Sequence, residues 1–260
     1  MNIDLSKIGF FYQSANNPCA VEMNFRQIKK YYPNSPVVLW EDISNNCKSI
    51  CENHNISYKR VYRLSEDTLF HRSQPVTEVT GGLRYLNRIY ITLMTELKDV
   101  DWFIHMEDDV WIKGPIQKLP TTPWSGCFGG LWDEPLMDHF KNDLGMKPIE
   151  CYHGACGATI ISRQSFIDSY LKIQDIDWLK VSKLDKYIGK YSDAIMSYLL
   201  LFNKVRWSEW SEWSQGGYED FKIYDKPFIH NIKYWYNHNI SKLDEINSTD
   251  SVKFFLENNS

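Results

Sequence analysis

The order of predicted elements in the first quarter of the sequence constrains the fold most strongly. Apolar, strand-like segments occur at KIGFFYQS, SPVVLWED and ISYKRVYRL, with a helical segment in each gap between them. In the first gap, apolar residues recur at helical spacing from Val21 to Tyr32, and Pro33 ends the pattern. A β-α-β-α-β order with short links is typical of a parallel sheet covered by helices. We therefore predict an α/β fold.

Two of the predicted strands end in side chains that are suited to ligand binding. Tyr12 and Gln13 lie at the end of the first strand, and Glu41 and Asp42 lie at the end of the second. Ligands of open parallel sheets bind outside the carboxyl ends of the strands. We therefore expect these four residues to border a ligand cleft.

Three adjacent carboxylates, Glu107, Asp108 and Asp109, interrupt an apolar segment that begins at Phe103 and ends at Ile112. Like charges side by side raise one another's pKa, and each costs free energy to desolvate unless it is paired or bound to a cation. We predict a strand whose carboxyl end holds a divalent metal. Glu107 and Asp109 would share one face of that strand, because alternate strand residues point the same way. The alternative is an acidic turn whose carboxylates cap the next element.

Three polar residues elsewhere in the chain are further candidates for a cleft. Arg84 lies in the first turns of an amphipathic helix that leads into the acidic stretch. Asp193 follows Ser192, a predicted N-cap, and so falls in a first helical turn, where the helix dipole favours a carboxylate. His230 interrupts a short apolar strand. Their structural alternatives are a solvated helix charge, a capping-region acid and a buried, hydrogen-bonded histidine.

Charge and apolar content exclude several classes of function. A net charge of −4 and a pI near 6.0 provide no basic surface of the kind that nucleic-acid binding requires. No segment reaches the roughly 20 apolar residues that cross a bilayer, and the N-terminal MNIDLSKIGFF lacks the basic and apolar regions of a signal peptide. The six cysteines form neither a CxxC pair nor a zinc-ligand spacing. We expect a cytoplasmic protein with reduced thiols and no transmembrane segment.

The order of these features resembles the plan of GT-A glycosyltransferases over nearly the whole chain. Glu107-Asp108-Asp109 matches the Asp-x-Asp motif of that superfamily in a Glu-Asp-Asp variant. The resemblance implies a single GT-A domain with a Rossmann-like, mostly parallel central sheet flanked by helices. Residues 1–112 would form the half that binds a nucleotide sugar, and residues 113–260 the acceptor-binding half and the C-terminal tail. No internal repeat or linker divides the chain.

The resemblance also implies an activity, the transfer of a sugar from a nucleotide-diphosphate sugar to a hydroxyl of a saccharide or glycan acceptor. In this chemistry Mn²⁺ or Mg²⁺ bridges the phosphates and acts as the Lewis acid for the departing diphosphate. Asp109 and Glu107 are the implied carboxylate ligands, and His230 is the late histidine that completes the metal shell. Glu107 and Asp108 are also implied contacts of the ribose or of the donor sugar.

Asp193 matches the position of the catalytic base in inverting GT-A enzymes, where it would accept the proton of the attacking hydroxyl. Inverting members usually have an acidic pair there, whereas this chain has Ser192-Asp193. Retaining members place an acid or amide nearby against the donor sugar, so both stereochemical courses stay open, and we favour inversion. Tyr12, Gln13 and Arg84 are the other implied contacts of the nucleotide sugar.

The segment VRWSEWSEWS contains Trp207, Trp210 and Trp213 at regular spacing. It falls where GT-A enzymes build the acceptor site, and an indole ring can stack on a sugar face, so Trp210 and Trp213 are candidate acceptor contacts. The alternative is that these aromatics only pack in a sheet. The segment also resembles the signature of type I cytokine receptors, but those secreted sandwich domains have paired cysteines and lack a parallel α/β pattern.

Two other functions are compatible with the sequence. A nucleotidyltransferase acting on sugar phosphates would share the α/β half and the metal carboxylates, although SANNPCAVEM lacks the Gly-rich basic loop common after the first strand of such enzymes. A non-catalytic module that binds carbohydrate or protein would suit the aromatic content of 15%. Nucleotide binding without turnover would favour that third interpretation.

Overall fold

The computed structural model describes residues 3–14, 17–42, 46–61, 80–126, 132–147, 154, 157–185, 188, 192–215 and 226–230. The helices are α1 (Pro18–Tyr31), α2 (Lys48–His54), α3 (Thr80–Met94), α4 (Glu134–Asn142), α5 (Arg163–Tyr170), α6 (Trp178–Val181) and α7 (Ser192–Phe202). The strands are β1 (Ile8–Ser14), β2 (Val37–Glu41), β3 (Ser57–Arg60), β4 (Trp102–Met106), β5 (Val110–Ile112), β6 (Trp124–Gly126), β7 (Thr159–Ser162), β8 (Trp207–Glu209), β9 (Trp213–Gln215) and β10 (Phe228–His230).

Seven of these strands form the central sheet, in the order β3-β2-β1-β4-β7-β6-β8. The first four strands of that order are parallel to one another, β7 is antiparallel to both of its neighbours, and β8 is parallel to β6. The predicted β-α-β-α-β unit is thus confirmed, with β1 between β2 and β4. The sheet is mixed but mostly parallel, and helices pack on it, so the predicted α/β fold class is correct.

A second sheet of three strands, in the order β5-β10-β9, lies next to the first. In this sheet β5 and β10 are antiparallel, and the Cα of His230 is paired with that of Val110. Because β5 follows β4 after only the acidic triplet, the chain passes from one sheet to the other at these three residues. The predicted strand whose carboxyl end carries the acids is β4, but the triplet does not continue that strand as the expected alternation of Glu107 and Asp109 required. Asp108 and Asp109 form a turn, in which the Val110 N–H donates to the Glu107 carbonyl.

Helix α1 shows why the local sequence produces its element. Asn17 precedes the helix, and its side chain accepts a hydrogen bond from the Ala20 N–H, while Pro18 takes the first helical position. Residues Val21, Phe25 and Ile28 are fully buried against the sheet. Burial of each such side chain stabilises the fold by about 1.5–3 kcal/mol relative to exposure.

The core is divided by the sheet into two clusters. Apolar side chains of α1, β1 and β2 pack with those of β5 and β10 on one face, and α3, α5 and α7 pack on the other. Close packing reaches the backbone at Gly82 of α3, where an added Cβ would lie 2.1 Å from Ile195 Cδ1 of α7. None of the described helices is long and apolar enough to cross a membrane.

Candidate active site

Several of the predicted site residues lie near the carboxyl ends of β1 and β4. Glu107 lies directly after β4, Gln13 lies near the end of β1, and Asp193 lies in the first turn of α7. The helix begins at Ser192, so this serine is its first residue instead of the predicted N-cap. The edge of the sheet that the parallel pattern indicated is the edge at which these residues lie.

Glu107, Asp109 and His230 each direct one ligand atom into a common space, and these atoms all lie within 4.8 Å of one another. His230 Nε2 is 3.4 Å from Asp109 Oδ1 and 3.9 Å from Glu107 Oε2. Asp109 and His230 are 7% and 9% exposed. We call these three residues the acidic cluster.

The turn after β4 separates the three acids of the triplet. Glu107 and Asp109 point into the acidic cluster, whereas Asp108 lies beside β1, where its Oδ2 accepts a hydrogen bond from the Ser14 hydroxyl at 3.1 Å. The prediction that Glu107 and Asp109 face the same way is therefore correct, although the alternation of a strand is not the reason. A turn bends the chain so that the first and third acids approach the same histidine.

Gly157 provides the space beside the acidic cluster. A Cβ at this position would lie 2.8 Å from Val110 Cγ2, 3.0 Å from His230 Cδ2 and 3.1 Å from Glu107 Oε2. Only a residue without a side chain leaves these three groups undisturbed. In the sequence, the run of small residues GACGA at positions 154–158 is the signal that permits such a close approach.

Trp213 covers the acidic cluster from β9. Its ring centroid is 5.8 Å from that of His230, and its Nε1 donates to the Gly157 carbonyl at 3.2 Å. Because β9 pairs in parallel with β10, the Cα of Trp213 is opposite that of Phe228. Trp213 thus contacts His230 of the acidic cluster and the neighbouring Gly157.

Gln13 connects the acidic cluster with the start of α7. Its Nε2 donates to Glu107 Oε1 at 3.2 Å and makes a longer contact of 3.5 Å with the Ser192 hydroxyl. Asp193 follows Ser192, and its Oδ1 accepts a hydrogen bond from the Ala194 N–H of the first helical turn at 2.9 Å. Gln13 therefore links the predicted metal ligand Glu107 to Ser192, the residue before the predicted base.

Beneath this group lies a buried pair that the sequence analysis did not identify. The Tyr85 hydroxyl of α3 lies 2.6 Å from His105 Nε2 of β4, and both residues are fully buried. Burial raises the pKa of Tyr85 well above its ordinary value, and the negative charge of Glu107 raises it further. Tyr85 therefore stays a neutral hydroxyl at physiological pH.

Other predicted site residues lie in the core. Tyr12 is fully buried, packs edge-on against Phe25 and accepts a hydrogen bond from the Asn24 side chain. Trp210 is 3% exposed and stacks on Phe228 with 5.5 Å between ring centroids. The structure does not bring either residue into the acidic cluster, and their roles toward donor and acceptor stay predictions.

Two more residues of the expected cleft have well-defined surroundings. Glu41 is fully buried and accepts hydrogen bonds from the Cys47 N–H and from the Tyr58 hydroxyl, so it anchors the start of α2 to β3. Arg84 is half-buried on α3, one position before Tyr85. Its predicted contact with a nucleotide sugar stays a prediction.

The donor atoms of the acidic cluster fit a divalent cation. Two carboxylates and one imidazole converge, and neutral imidazole is a ligand that suits Mn²⁺ better than Mg²⁺. Gly157 has no Cβ, so no side-chain atom of this residue occupies the space beside Glu107 Oε2. The arrangement can therefore hold a cation at the edge of the sheet where ligands bind.

Comparison with known proteins shows the fold. No protein-family model matches the sequence, and a search of curated proteins finds no significant match. A crystal structure of the galactosyltransferase LgtC, in complex with donor and acceptor sugar analogues, aligns with a TM-score of 0.53 at 13% identity and covers 92% of this chain and 95% of that chain. An active-site mutant of LgtC aligns with a TM-score of 0.50 at 13% identity and covers 86% of each chain.

At this level of identity the likeness concerns the fold. It extends over nearly all of both chains. The chain has the GT-A glycosyltransferase fold, with a mostly parallel seven-stranded sheet flanked by helices.

Proposed function

We propose that the protein is a metal-dependent glycosyltransferase that moves a sugar from a nucleotide-diphosphate sugar to a hydroxyl of a saccharide or glycan acceptor. One observation carries the proposal: the ligand atoms of Glu107, Asp109 and His230 converge within 4.8 Å at the carboxyl edge of a GT-A sheet. The donor and acceptor sugar analogues bound to the similar galactosyltransferase support a two-substrate reaction. The proposed cellular role is glycan biosynthesis.

In this proposal the acidic cluster holds Mn²⁺ or Mg²⁺. The cation, when bound, supplies the positive charge that a departing diphosphate needs. Asp109 and Glu107 would contribute carboxylate oxygens and His230 would contribute Nε2. The burial of Asp109 and His230 lowers the local dielectric and so strengthens the attraction of the carboxylates for a cation. Asp108 points toward Ser14 instead of the acidic cluster. Its proposed role is a contact with the ribose or with the donor sugar.

Asp193 is the proposed general base of an inverting reaction. Asp193 lies in the first turn of α7, where its Oδ1 accepts a hydrogen bond from the Ala194 N–H, and a carboxylate held there could accept the proton of an attacking hydroxyl. The Gln13 contact with Ser192 places this helix start next to Glu107. In the proposed direct displacement, Asp193 would take the proton of the attacking hydroxyl while the acidic cluster would hold the cation that the donor needs.

Donor and acceptor contacts complete the proposal. Tyr12, Gln13 and Arg84 are assigned to the nucleotide-sugar side, and Trp210 and Trp213 to the acceptor side. Of the two tryptophans, Trp213 has the stronger support, because its ring lies against His230 of the acidic cluster.

The test is a donor screen with purified protein. Nucleotide-diphosphate sugars are incubated with Mn²⁺, and release of the nucleoside diphosphate is measured with and without saccharide acceptors. We expect turnover with one donor, its loss in EDTA and its recovery when Mn²⁺ is added back. Full turnover in EDTA would disprove metal dependence, and binding of nucleotide sugars without any turnover would favour the non-catalytic binding module.

Two variants make the screen specific to the acidic cluster. Asp109→Ala should abolish Mn²⁺-dependent turnover while the protein stays folded, because it removes a buried carboxylate ligand. Asp101→Asn, an exposed acid just before β4, is the matched control and should keep wild-type turnover. Retained turnover in Asp109→Ala would exclude Asp109 as a required ligand.

A further inference from the structure

We infer that Gln13 is a positioning residue, which holds Glu107 in its metal-binding orientation and couples it to the start of α7. This inference rests on the proposed function, because it concerns the same acidic cluster. It assigns to Gln13 a task other than the predicted contact with the nucleotide sugar. The observations behind it are the hydrogen bonds, the burial and the unequal use of the Gln13 amide.

The two carboxylate oxygens of Glu107 have different surroundings. Oε1 accepts the hydrogen bond from Gln13 Nε2 at 3.2 Å, whereas Oε2 lies on the side of His230 and of the Gly157 backbone. A glutamate side chain has three rotatable bonds, so an unrestrained carboxylate would sample many orientations. The bond to Oε1 restricts that freedom and leaves Oε2 facing the acidic cluster, as outer partners of metal ligands commonly do.

Gln13 is itself held firmly by the sheet. Its strand, β1, is paired on one side with β2, where its Cα partner is Trp40, and on the other side with β4. The residue is 6% exposed. The pairing of β1 with β4 ends one residue before Gln13, at Tyr12 and Met106, so the buried Gln13 lies beside Glu107, the residue directly after β4. From this position Gln13 can orient the Glu107 carboxylate.

The carbonyl oxygen of the Gln13 amide indicates that this side chain does not serve packing alone. Gln13 Oε1 is buried and has no hydrogen-bond partner within the described part of the chain. A buried acceptor without a partner costs free energy, and a side chain present only for packing would be more stable without it. Only the NH₂ group can donate to a carboxylate, so the orientation with Nε2 toward Glu107 follows from chemistry. The role of the Gln13 amide therefore lies in its NH₂ group, which donates to Glu107.

The second contact of Nε2 extends this effect to the proposed base. The Ser192 hydroxyl, 3.5 Å away, belongs to the residue before Asp193. One amide therefore lies between a metal-binding carboxylate and the helix turn that carries the base. A change at Gln13 should affect both metal affinity and the rate of transfer.

The experiment measures Mn²⁺ affinity directly, by the electron paramagnetic resonance signal of free Mn²⁺ titrated with metal-free protein. Gln13→Met keeps the length of the side chain and removes the donor, and Gln13→Leu replaces it if the methionine variant does not fold. We expect Mn²⁺ affinity to fall by about 10- to 100-fold. The melting temperature of the metal-free variant should stay within about 3 °C of wild type or rise, because an unpaired buried acceptor is removed.

Two controls test whether Gln13 affects Mn²⁺ binding through Glu107 or through a general disturbance of the site. Ser14→Ala removes the neighbouring hydrogen bond to Asp108, the acid outside the cluster, and should leave Mn²⁺ affinity unchanged. In a Glu107→Gln background, Gln13→Met should have no further effect on Mn²⁺ affinity, because Gln13 acts through Glu107.

The outcomes distinguish this inference from the proposed function. Wild-type protein that binds no Mn²⁺ would overturn both. Wild-type binding that Gln13→Met or Gln13→Leu leaves unchanged would overturn only the role of Gln13, and so would an undiminished effect in the Glu107→Gln background. Weaker Mn²⁺ binding in a Gln13 variant whose melting temperature stays within about 3 °C of wild type or rises is the result that supports the role of Gln13.

Discussion

His230 Nε2 lies 3.4 Å from Asp109 Oδ1, although the two residues come from distant parts of the chain. The pairing of β10 with β5 produces this approach, because it sets the Cα of His230 opposite that of Val110, the residue after Asp109. A histidine in an apolar strand thereby becomes the neighbour of two carboxylates. This relationship joins the N-terminal and C-terminal halves of the candidate site.

His230→Gln should weaken Mn²⁺ binding more than Mg²⁺ binding, because imidazole is a ligand that suits Mn²⁺ better. A loss of about tenfold in Mn²⁺ affinity, or about 1.4 kcal/mol, is expected in calorimetric titration. His54→Gln is the matched control, since His54 pairs with Glu22 between α1 and α2 at 2.9 Å. Equal losses for both cations would remove the special role of imidazole.

Asp193→Asn should lower kcat by about 100- to 10,000-fold while the affinity for the donor is kept, because an amide cannot accept the proton of the attacking hydroxyl. Initial-rate kinetics and donor titration measure the two quantities separately. Glu134→Gln changes an exposed acid in the first turn of α4 and should leave kcat unaffected. A near-wild-type kcat for Asp193→Asn would exclude Asp193 as the base.

Gly157→Ala should weaken Mn²⁺ binding and leave the fold intact. The added Cβ would lie within 3.1 Å of Val110, His230 and Glu107, so these groups must move apart. Gly114→Ala meets no atom within 4 Å and is the control for the substitution itself. If both variants titrate Mn²⁺ like wild type, the glycine does not shape the acidic cluster.

Trp210→Ala should lower the free energy of unfolding by about 3–5 kcal/mol, because it removes a buried ring from the core. Urea unfolding measures this loss, and Trp207→Ala, at a half-buried position on β8, should lose less. The Michaelis constants of Trp210→Ala for donor and acceptor test the predicted acceptor contact. A larger rise in KM for the acceptor than for the donor would support that contact, and equal changes would indicate packing alone.

Cys19 and Cys51 should resist alkylation in the native protein at pH 8. Burial raises the pKa of both thiols to about 12, and the nearby carboxylates Glu22 and Glu41 add to the effect. At pH 8 the reactive thiolate is therefore a minute fraction of each thiol. Peptide-resolved mass spectrometry after iodoacetamide treatment should show labelling at these two positions only in urea. Rapid native labelling would show that the thiols are accessible.

Local patterns in the sequence were sufficient for the main elements. The apolar spacing from Val21 to Tyr32 corresponds to α1, and the three strands predicted in the first quarter are β1, β2 and β3. Asp193 was correctly expected in a first helical turn. These features depend on periods and caps within a few residues, which the sequence contains directly.

Side-chain surroundings were less accessible to the same reasoning. Trp210 was expected at an acceptor, and the structure places it in the core against Phe228. Gly157 is one of several small residues in the sequence, and the closeness of Glu107 Oε2 to the place where its Cβ would stand results from the packing of a remote segment. Spacing along a sequence does not reveal which distant segment will cover a residue.

The sequence by itself determined that an α/β sheet would end in carboxylates at one edge, and it singled out Glu107, Asp109 and His230. Only the tertiary structure decided that the acids occupy a turn between two sheets, that β10 returns His230 beside Asp109, and that Gln13 joins Glu107 to α7. The physical reason is that local propensities follow from neighbours in the chain, whereas strand register and side-chain contacts are set by packing between remote segments.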